Sequence, residues 1–250
     1  MQSDATQGHY ERLADKYDEN WAYSPEFTLW MTSNLLSRLT PSLEKSRLLD
    51  VGCGTGLYAR DLAAHANVVV CADLSPAMLQ RLPADERLIP LLAGAEDLAG
   101  GRVQLPHDDY DGILMKEVIH HLNDPAQVLA GLSRVLRPGG RILVVMLPSD
   151  IDYPLFGAAL DLFRERQPAP PDIAAAMRRC GLQTELTYDE FPLVFSVERY
   201  TKMVRNRYMS LLASFNDSEL EAGISEIRRT NPGPEVRFPD RFAFVLGVKT

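Results

Sequence analysis

The chain has 250 residues, of which 46% are hydrophobic and 24% charged, and its formal net charge is −8 at pH 7. This composition is ordinary for one globular α/β domain or two small ones, and it argues against a nucleic-acid-binding surface, which needs clustered lysine and arginine. The polar, acidic N-terminus and the absence of an apolar run near the roughly 20 residues of a membrane span lead us to expect a cytoplasmic protein without a signal peptide.

Two helical patterns come first, over residues 4–18 and 25–40. Ser24 is placed as the N-cap of the second helix, Pro25 occupies its first turn, and Pro41 ends it. Its apolar residues recur at helical spacing: Phe27, Trp30, Met31 and Leu35.

Strand and helix patterns then alternate through the middle of the chain. The short apolar runs are RLLDV, NVVVCAD, RLIPLLA, YDGILM and RILVVML. Helical patterns lie between most of them, at Leu57–Ala66, Pro76–Leu82 and Pro125–Leu136, and RPGG at Arg137–Gly140 is interpreted as a turn. Continuous apolar strands that alternate with helices predict a parallel sheet covered on both faces.

The pattern changes after Pro148. YPLFGAALDLFRER is helical, QPAPP is interpreted as a linker, and PDIAAAMRRCG is a short helix that ends at Gly181. LQTELTYDEF alternates like a strand, helices are predicted at about Val197–Ala213 and Asp217–Arg229, and RFAFVLGVK forms a final strand. These elements predict one domain with a late insertion.

The segment LLDVGCGTG, at Leu48–Gly56, carries the most specific pattern. A strand ends in an acid, three alternating glycines follow, and a helix begins. Glycine permits positive φ and has no Cβ to keep a ligand at a distance. A dinucleotide fingerprint would need glycine where Leu57 stands, and a phosphate loop would need a G-K-[ST] sequence that this segment lacks. The letters therefore disfavour both phosphate-binding motifs.

The remaining D-x-G-x-G-x-G pattern resembles class I S-adenosylmethionine-dependent methyltransferases of the small-molecule branch, from about Tyr10 to the C-terminus. The resemblance implies an α/β fold with a Rossmann-like seven-stranded sheet of order 3-2-1-4-5-7-6. Its last strand is antiparallel, helices cover both faces, and a helical cap is added. The implied single domain, 1–250, divides into lid helices (1–40), a cofactor-binding core (41–147), a cap with the sixth strand (148–236) and a final strand (237–250).

The resemblance also implies S-adenosyl-L-methionine as cofactor and S-adenosyl-L-homocysteine as product. Asp50 would lie near the ammonium group or order the glycine turn, and Asp73 would accept the ribose hydroxyls, unless it merely caps a helix. The family often carries an acid where this chain has Gly94, so the adenine contact is expected from Ala95 or Glu96. The other expected cofactor contacts are Tyr17, Gly52, Cys53, Gly54, Leu74, Met115 and Lys116.

YDGILMKEVIHHLND resembles the segment after the fourth strand of small-molecule methyltransferases, where backbone approaches the methyl group. In plant alkaloid N-methyltransferases a comparable Glu…His segment handles the acceptor's proton. Histidine titrates near the operating pH and suits this role. We favour His120 over His121 as the base, with Glu117 as its orienter or as an alternative base. One histidine is expected to be packed, because adjacent histidines cannot both face one pocket.

The N-terminal HYERLADKYDENW resembles the superfamily's lid, in which a tyrosine near YD contacts the cofactor's carboxylate end, and Tyr10 and Tyr17 match that pattern. A core role is the alternative for these aromatic residues. The insertion is expected to define the acceptor, with candidate contacts from Tyr153, Phe156, Arg205 and Tyr208, and Tyr10 of the lid is a further candidate acceptor contact. The basic cluster around Arg205 is interpreted either as a grip for an anionic acceptor or as a solvated face.

These observations predict an enzyme that transfers a methyl group to an O, N or C atom of a small molecule, in specialised metabolism. We expect a monomer or homodimer with no nucleic-acid or membrane partner. Two alternatives stay open: an S-adenosylmethionine-binding enzyme of cyclase or decarboxylase chemistry, and a macromolecule methyltransferase. The dispersed Cys53, Cys71 and Cys180 predict reduced, packing thiols and no metal site.

Overall fold

The structure is a computed structural model that describes residues 23–39 and 46–250. Seven strands form one sheet in the order β3-β2-β1-β4-β5-β7-β6, which confirms the implied topology. The strands are β1 Arg47–Val51, β2 Val68–Asp73, β3 Leu88–Leu92, β4 Tyr110–Lys116, β5 Leu136–Met146, β6 Leu182–Ser196 and β7 Glu235–Lys249. The first five pair in parallel, and β7 runs antiparallel to β5.

Helices, numbered within the described residues, flank these strands. They are α1 Pro25–Leu39, α2 Ala59–Ala63, α3 Pro76–Leu79, α4 Ala95–Ala99, α5 Pro125–Arg134, α6 Gly157–Arg166, α7 Pro170–Arg179, α8 Val197–Arg205 and α9 Asp217–Thr230. Short 3₁₀ turns occupy Ile119–His121 and Ser210–Ser214. The Ser24 hydroxyl accepts the Phe27 N–H at 3.2 Å and so caps α1 as predicted.

The central strands are buried on both faces, as parallel strands between two helical layers must be. Leu49, Ile113 and Val144, on β1, β4 and β5, are fully buried members of one hydrophobic cluster. Because both faces of these strands meet helices, every position favours an apolar side chain, and the sequence reads as a continuous apolar run. Because these strands run parallel, their carboxyl ends lie at the same edge of the sheet.

Three local predictions are wrong. The helix predicted over Val197–Ala213 ends at Arg205, because the chain turns through Arg207, whose φ is +56°. The predicted linker QPAPP already contains the start of α7 at Pro170, where proline's missing N–H would have had no helical partner. The predicted turn RPGG lies inside β5 as a bulge, with residues 137–140 skipped in the pairing with β4.

The chain divides into two compact units. The first contains the described residues up to Met146, with 168–187 and 243–250, and the second contains 147–167 and 188–242. The predicted cap, 148–236, overlaps the second unit but also includes residues 168–187 of the first. Within the described ranges, no helix is long and apolar enough to cross a membrane. The helix predicted over residues 4–18 lies outside those ranges.

Candidate functional site

A cavity of about 940 Å³, its open mouth included, lies at the carboxyl edge of the first unit's strands. In open parallel α/β sheets this edge is where ligands bind. The cavity is lined by Val51, Gly52, Gly54, Asp73, Leu74, Ser75, Met78, Ala93, Gly94, Ala95, Glu96, Lys116, Glu117, Val118, His121, Leu122 and Asn123. These residues follow the ends of β1, β2, β3 and β4, so four strands contribute to one site.

The glycine turn forms one wall of this cavity. Gly52, Gly54 and Gly56 have φ values of +73°, +56° and +78°, in the region that favours glycine. The Gly52 N–H donates to the Ala72 carbonyl at 2.7 Å, which ties the turn to β2. A Cβ built on Gly52 would lie 2.2 Å from Cγ2 of Val118, another lining residue. The turn must therefore stay bare for this wall to keep its shape.

Asp73, at the end of β2, holds the turn from the opposite side. Its Oδ2 accepts the Gly54 N–H at 2.9 Å and its Oδ1 accepts the Ser75 N–H at 2.8 Å. A carboxylate has about four lone-pair positions, so both oxygens keep capacity for a ligand hydroxyl. The alternative role, capping α3, belongs to Ser75, whose Oγ accepts the Met78 N–H at 3.3 Å.

Asp50 lies behind the turn, at the end of β1, and is 5% exposed. Burial, with a further contribution from the Asp73 carboxylate, raises the pKa of Asp50 to about 7, against an opposing effect of the Lys116 ammonium. Asp50 does not line the cavity, but it lies close enough to the lining residue Asp73 for the two carboxylates to interact. Such a pair favours a ligand that brings positive charge to the site.

The raised pKa of Asp50 predicts a pH-dependent stability. Between the ordinary pKa of 3.8 and the folded value of about 7, the folded chain keeps a proton that the unfolded chain has released. The free energy of unfolding is therefore expected to fall as the pH rises from about 4 to about 7, and then to change no further through this group. Urea unfolding across that range should show a shallower fall for Asp50→Asn. Parallel profiles for the two proteins would contradict the assignment.

Comparison with known families decides what kind of site this is. Residues 49–144 match a family model described as a methyltransferase domain, a range that contains the glycine turn, Asp73 and all of β4. The chain therefore contains a methyltransferase domain, of the kind found in class I S-adenosylmethionine-dependent methyltransferases. The sheet order agrees with this assignment.

Two curated methyltransferases illustrate the similarity in sequence. The ubiquinone biosynthesis O-methyltransferase of Xanthomonas axonopodis pv. citri is 28% identical over 167 residues, 60% of this chain and 66% of that protein. The 27-O-demethylrifamycin SV methyltransferase of Amycolatopsis mediterranei is 27% identical over 226 residues, 77% of this chain and 76% of that protein. The chain thus spans about two thirds of the first relative and three quarters of the second.

Solved structures show the same methyltransferase fold at low sequence identity. A putative methyltransferase from an antibiotic biosynthesis pathway of Anabaena variabilis has a TM-score of 0.67 at 17% identity, covering 86% of this chain and 96% of its own. The [4+2]-cyclase SpnF has a TM-score of 0.60 at 17% identity, covering 88% of this chain and 80% of its own. The fold alone is therefore shared by a protein named as a methyltransferase and by one named as a cyclase.

The far wall of the cavity is formed after β3. Leu74, Ala95 and Glu96 all line it, as expected, and the Glu96 carboxylate accepts the Asn123 N–H at 3.4 Å. A Cβ on Gly94 would lie 3.0 Å from Cδ2 of Leu74. At this position, where the family often has an acid, the leucine takes up the space beside the bare backbone. Glu96 is the carboxylate that remains on this wall.

Three expected cofactor contacts among the described residues, Asp50, Cys53 and Met115, lie outside the cavity lining. Met115 is fully buried in the hydrophobic core. Cys53 is half-buried, and its thiol lies 3.6 Å from the Gly54 carbonyl. The Cys71 thiol, together with burial, raises the pKa of the Cys53 thiol, so it stays protonated. Within the described ranges, no group of three or more His, Cys, Asp or Glu is arranged to hold a metal ion.

The two histidines after β4 differ in their relation to the cavity. They sit in a 3₁₀ turn, where consecutive side chains are about 120° apart, and their ring centroids are 4.0 Å apart. His121 lines the cavity, whereas His120 does not. The Nδ1 of His120 is buried without a hydrogen-bond partner among the described residues, and burial and the neighbouring His121 hold the pKa of His120 well below 6.5. The geometry thus favours His121 over the residue preferred from the sequence.

Glu117 lies at the cavity in a conformation that a side chain rarely adopts. Its φ is +57°, and its N–H donates to the Val145 carbonyl at 2.8 Å. A residue with a Cβ is strained in this left-handed region by about 1–2 kcal/mol. Strain of this kind, held in place by strand pairing, is found where a side chain is needed at a particular point. The structure thus brings Glu117, Lys116 and His121 to one cavity.

The acceptor candidates of the second unit have partners inside that unit. The Tyr153 hydroxyl donates to Asp240 Oδ1 at 2.6 Å, and the hydroxyls of Tyr208 and Tyr200 are 3.2 Å apart. Phe156 packs on Phe215, with ring centroids 5.0 Å apart. Arg205 is exposed and forms a two-bond ion pair with Glu221, at 2.5 and 3.0 Å. None of the four lines the described cavity, and each has a structural role.

Two predicted contacts cannot be located, and eight lining residues were not predicted. Tyr10 and Tyr17 lie outside the described residues. The lining residues that the sequence reasoning missed are Val51, Ser75, Met78, Ala93, Gly94, Val118, Leu122 and Asn123. Most of them are apolar or small and carry no motif of their own. Their position in the sequence could have identified them, because they lie beside strand ends or beside residues that were predicted.

Proposed function

We propose that this chain binds S-adenosylmethionine in the cavity and transfers its methyl group to a small molecule. One observation carries the proposal: a bare glycine turn whose Gly54 N–H is held at 2.9 Å by Asp73, a carboxylate with capacity for ribose hydroxyls. The methyltransferase family match covers this same segment.

The residues around the cavity fit the parts of this cofactor. Gly52 and Gly54 would lie beside its methionyl chain, Asp73 beneath its ribose, and Glu96 near its adenine. The carboxylate of Asp50 would favour its positive charge from behind the turn. When bound, the cofactor supplies a methyl group on a cationic sulfur, which is a good leaving group. The protein then has to align the acceptor within about 3–3.5 Å of the methyl carbon and accept a proton.

His121 and Glu117 are proposed to accept that proton, because both line the cavity. Replacing His121 with glutamine is expected to lower kcat about 100-fold, the lower end of the range for general bases, with little change in the Kd for S-adenosylhomocysteine. His120→Gln is the matched control and is expected to retain turnover. Both constants should be measured for both variants with one acceptor. Loss of turnover only in His120→Gln would support the sequence-based preference instead.

The acceptor is proposed to present a hydroxyl group to this pair. The names of the two relatives, a ubiquinone biosynthesis O-methyltransferase and a 27-O-demethylrifamycin SV methyltransferase, support oxygen as the receiving atom. A second candidate function is cofactor-dependent ring closure, which the likeness to the cyclase SpnF raises. The two candidates share the cofactor site and differ in whether the cofactor is consumed.

The test begins with calorimetry of the full chain against S-adenosylmethionine, S-adenosylhomocysteine and, as a control, NAD. We expect binding of the first two and none of NAD. Incubation with a metabolite extract and S-adenosylmethionine should then give a product heavier by one methylene unit, together with S-adenosylhomocysteine. No affinity for either sulfur compound would overturn the cofactor proposal. Affinity without consumption of the methyl donor would favour the cyclase-like alternative.

A further inference from the structure

The wall of the cavity that follows β3 is built on a very short helix. Helix α4, Ala95–Ala99, has five residues, and its first two, Ala95 and Glu96, line the cavity. Of the described lining residues from Ala93 to Glu96, only Glu96 has a polar side chain. A helix of this length is not stable on its own in water. The position of Glu96 therefore depends on what α4 packs against.

Helix α5 packs against α4, although none of the described residues that line the cavity belongs to α5. Gly131, in the interior of α5, is buried. A Cβ built on it would lie 2.4 Å from the Ala99 carbonyl oxygen and 2.6 Å from the Ala99 Cα. Both atoms belong to the backbone, so rotation of a side chain would not relieve the overlap. Glycine makes a helix interior less stable than alanine does, and the close approach of the two helices explains why it is found here.

Arg134, in the last turn of α5, adds a hydrogen bond to the same residue of α4. Its Nη2 donates to the Ala99 carbonyl oxygen at 3.0 Å. This carbonyl is among the last four of α4, which have no N–H partner within the helix. The guanidinium donor makes the hydrogen bond a charge-assisted one. Arg134 therefore holds the end of α4 against α5, and Gly131 leaves the space that this approach requires.

The other end of α4 contacts the segment before α5. The Glu96 carboxylate accepts the Asn123 N–H at 3.4 Å. Asn123 directly precedes Asp124, the N-cap of α5, whose Oδ1 accepts the Gln127 N–H at 3.0 Å. The segment before α5 is thus fixed by the helix that it starts. The contacts at Glu96 and at Ala99 together join both ends of α4 to α5.

We infer that Gly131 and Arg134 are positioning residues, which hold α4 where Glu96 accepts a hydrogen bond from the 6-amino group of the adenine base. This inference rests on the proposed function, which places the adenine near Glu96. Carbon atoms in contact lie about 3.5–4.0 Å apart, so Gly131→Ala would separate the two helices by about 1 Å. A hydrogen bond lengthened by that amount is lost. The base would then be bound without recognition of its amine.

The experiment measures the discrimination between two ligands that differ only in this amine. Calorimetry on the full chain gives the Kd of S-adenosylhomocysteine and the Kd of its 6-deamino analogue, in which hydrogen replaces the amine. The ratio of the two constants reports the recognition of the amine. The variants are Gly131→Ala, which creates the overlap with Ala99, and Arg134→Met, which removes the hydrogen bond to it.

Each variant has a matched control among residues that do not line the cavity. Gly223→Ala is the control for Gly131→Ala, because Gly223 is a buried glycine of α9 and its Cβ would lie 2.4 Å from Cδ1 of Phe156. Arg166→Met is the control for Arg134→Met, because Arg166 is also exposed and also donates one hydrogen bond, to Ser214 Oγ at 2.9 Å. Thermal unfolding of all five proteins measures their stability.

The wild type is expected to bind S-adenosylhomocysteine about 10- to 100-fold more tightly than the 6-deamino analogue, the range for one hydrogen bond to a charged group. Gly131→Ala should reduce this ratio to about threefold or less. Arg134→Met loses one contact without creating an overlap, so it should reduce the ratio by about threefold. Both controls should keep the wild-type ratio. A purely structural role would lower the melting temperature of Gly131→Ala and leave the ratio unchanged.

An unchanged ratio in Gly131→Ala or in Arg134→Met would overturn the inference. So would equal affinity of the wild type for the two ligands, or a ratio that falls as far in the controls as in the variants. If Gly131→Ala does not fold, Arg134→Met decides alone, because it changes only an exposed side chain. Absence of S-adenosylhomocysteine binding by the wild type would instead refute the proposed function.

Discussion

Gly52→Ala is expected to lose more than about a thousandfold in affinity for S-adenosylhomocysteine, which corresponds to about 4 kcal/mol. The new Cβ would lie 2.2 Å from Val118 Cγ2, closer than atoms can approach. Either the turn or Val118 must move, and both line the cavity. The φ of +73° adds backbone strain at the same residue. Calorimetry on the purified variant measures the loss directly.

Two further variants separate the clash from the strain. Gly139 also has a positive φ, +77°, but a Cβ there would meet no atom within 4 Å. Gly139→Ala should therefore be destabilised by about 1–2 kcal/mol while it keeps its affinity. The double variant Gly52→Ala/Val118→Ala removes the clashing methyl group and should recover part of the binding. Wild-type affinity in Gly52→Ala would mean that the turn is not a cofactor wall.

Asp73→Ala is expected to lower the affinity for S-adenosylhomocysteine by about a thousandfold. The carboxylate accepts two backbone N–H groups, from Gly54 and Ser75, and hydrogen bonds to charged groups are worth about 1.5–3 kcal/mol each. Its loss frees the glycine turn and removes the proposed ribose contact together. Calorimetry and thermal unfolding, with and without ligand, measure both effects.

Asp73→Asn tests the charge while it keeps the shape. Its amide has one oxygen, so one of the two N–H donors would face an NH2 group, and affinity should fall substantially as well. Asp85→Asn is the matched control, because Asp85 accepts the N–H and guanidinium of Arg87 outside the cavity. That change should leave the affinity unaltered. Full affinity in Asp73→Asn would place the ribose elsewhere.

The strands of the sheet could be predicted because buried strands appear in the sequence as runs of apolar residues. β1, β2 and β4 each contain a run of buried apolar residues, and glycine or acidic residues lie at or just after their carboxyl ends. The strand order came from the family resemblance, since periodicity specifies parallel pairing but not which strands are neighbours. The glycine turn and Asp73 were found because their chemistry depends on local spacing. Both line the cavity.

The surroundings of the other candidate residues could not be predicted, because they depend on tertiary contacts and on local backbone geometry that no sequence pattern specifies. The sequence does not show that Arg205 pairs with Glu221, 16 residues later. Nor does it show that the Tyr153 hydroxyl donates to Asp240. The choice between His120 and His121 depends on the phase of a three-residue 3₁₀ turn, which no pattern in the sequence fixes. The role of Val118 could not be predicted, because it depends on the packing of its side chain against Gly52, which lacks a Cβ.

The left-handed backbone of Glu117 sets a conflict for anyone who wishes to engineer this chain. Glycine at that position would relax the backbone, so a screen that scores heat resistance alone would reward its introduction. The same exchange would delete a carboxylate from the cavity. Variant libraries that are screened for thermal stability should therefore keep Glu117 unchanged, because a higher melting temperature gained at this position would cost the cavity its carboxylate.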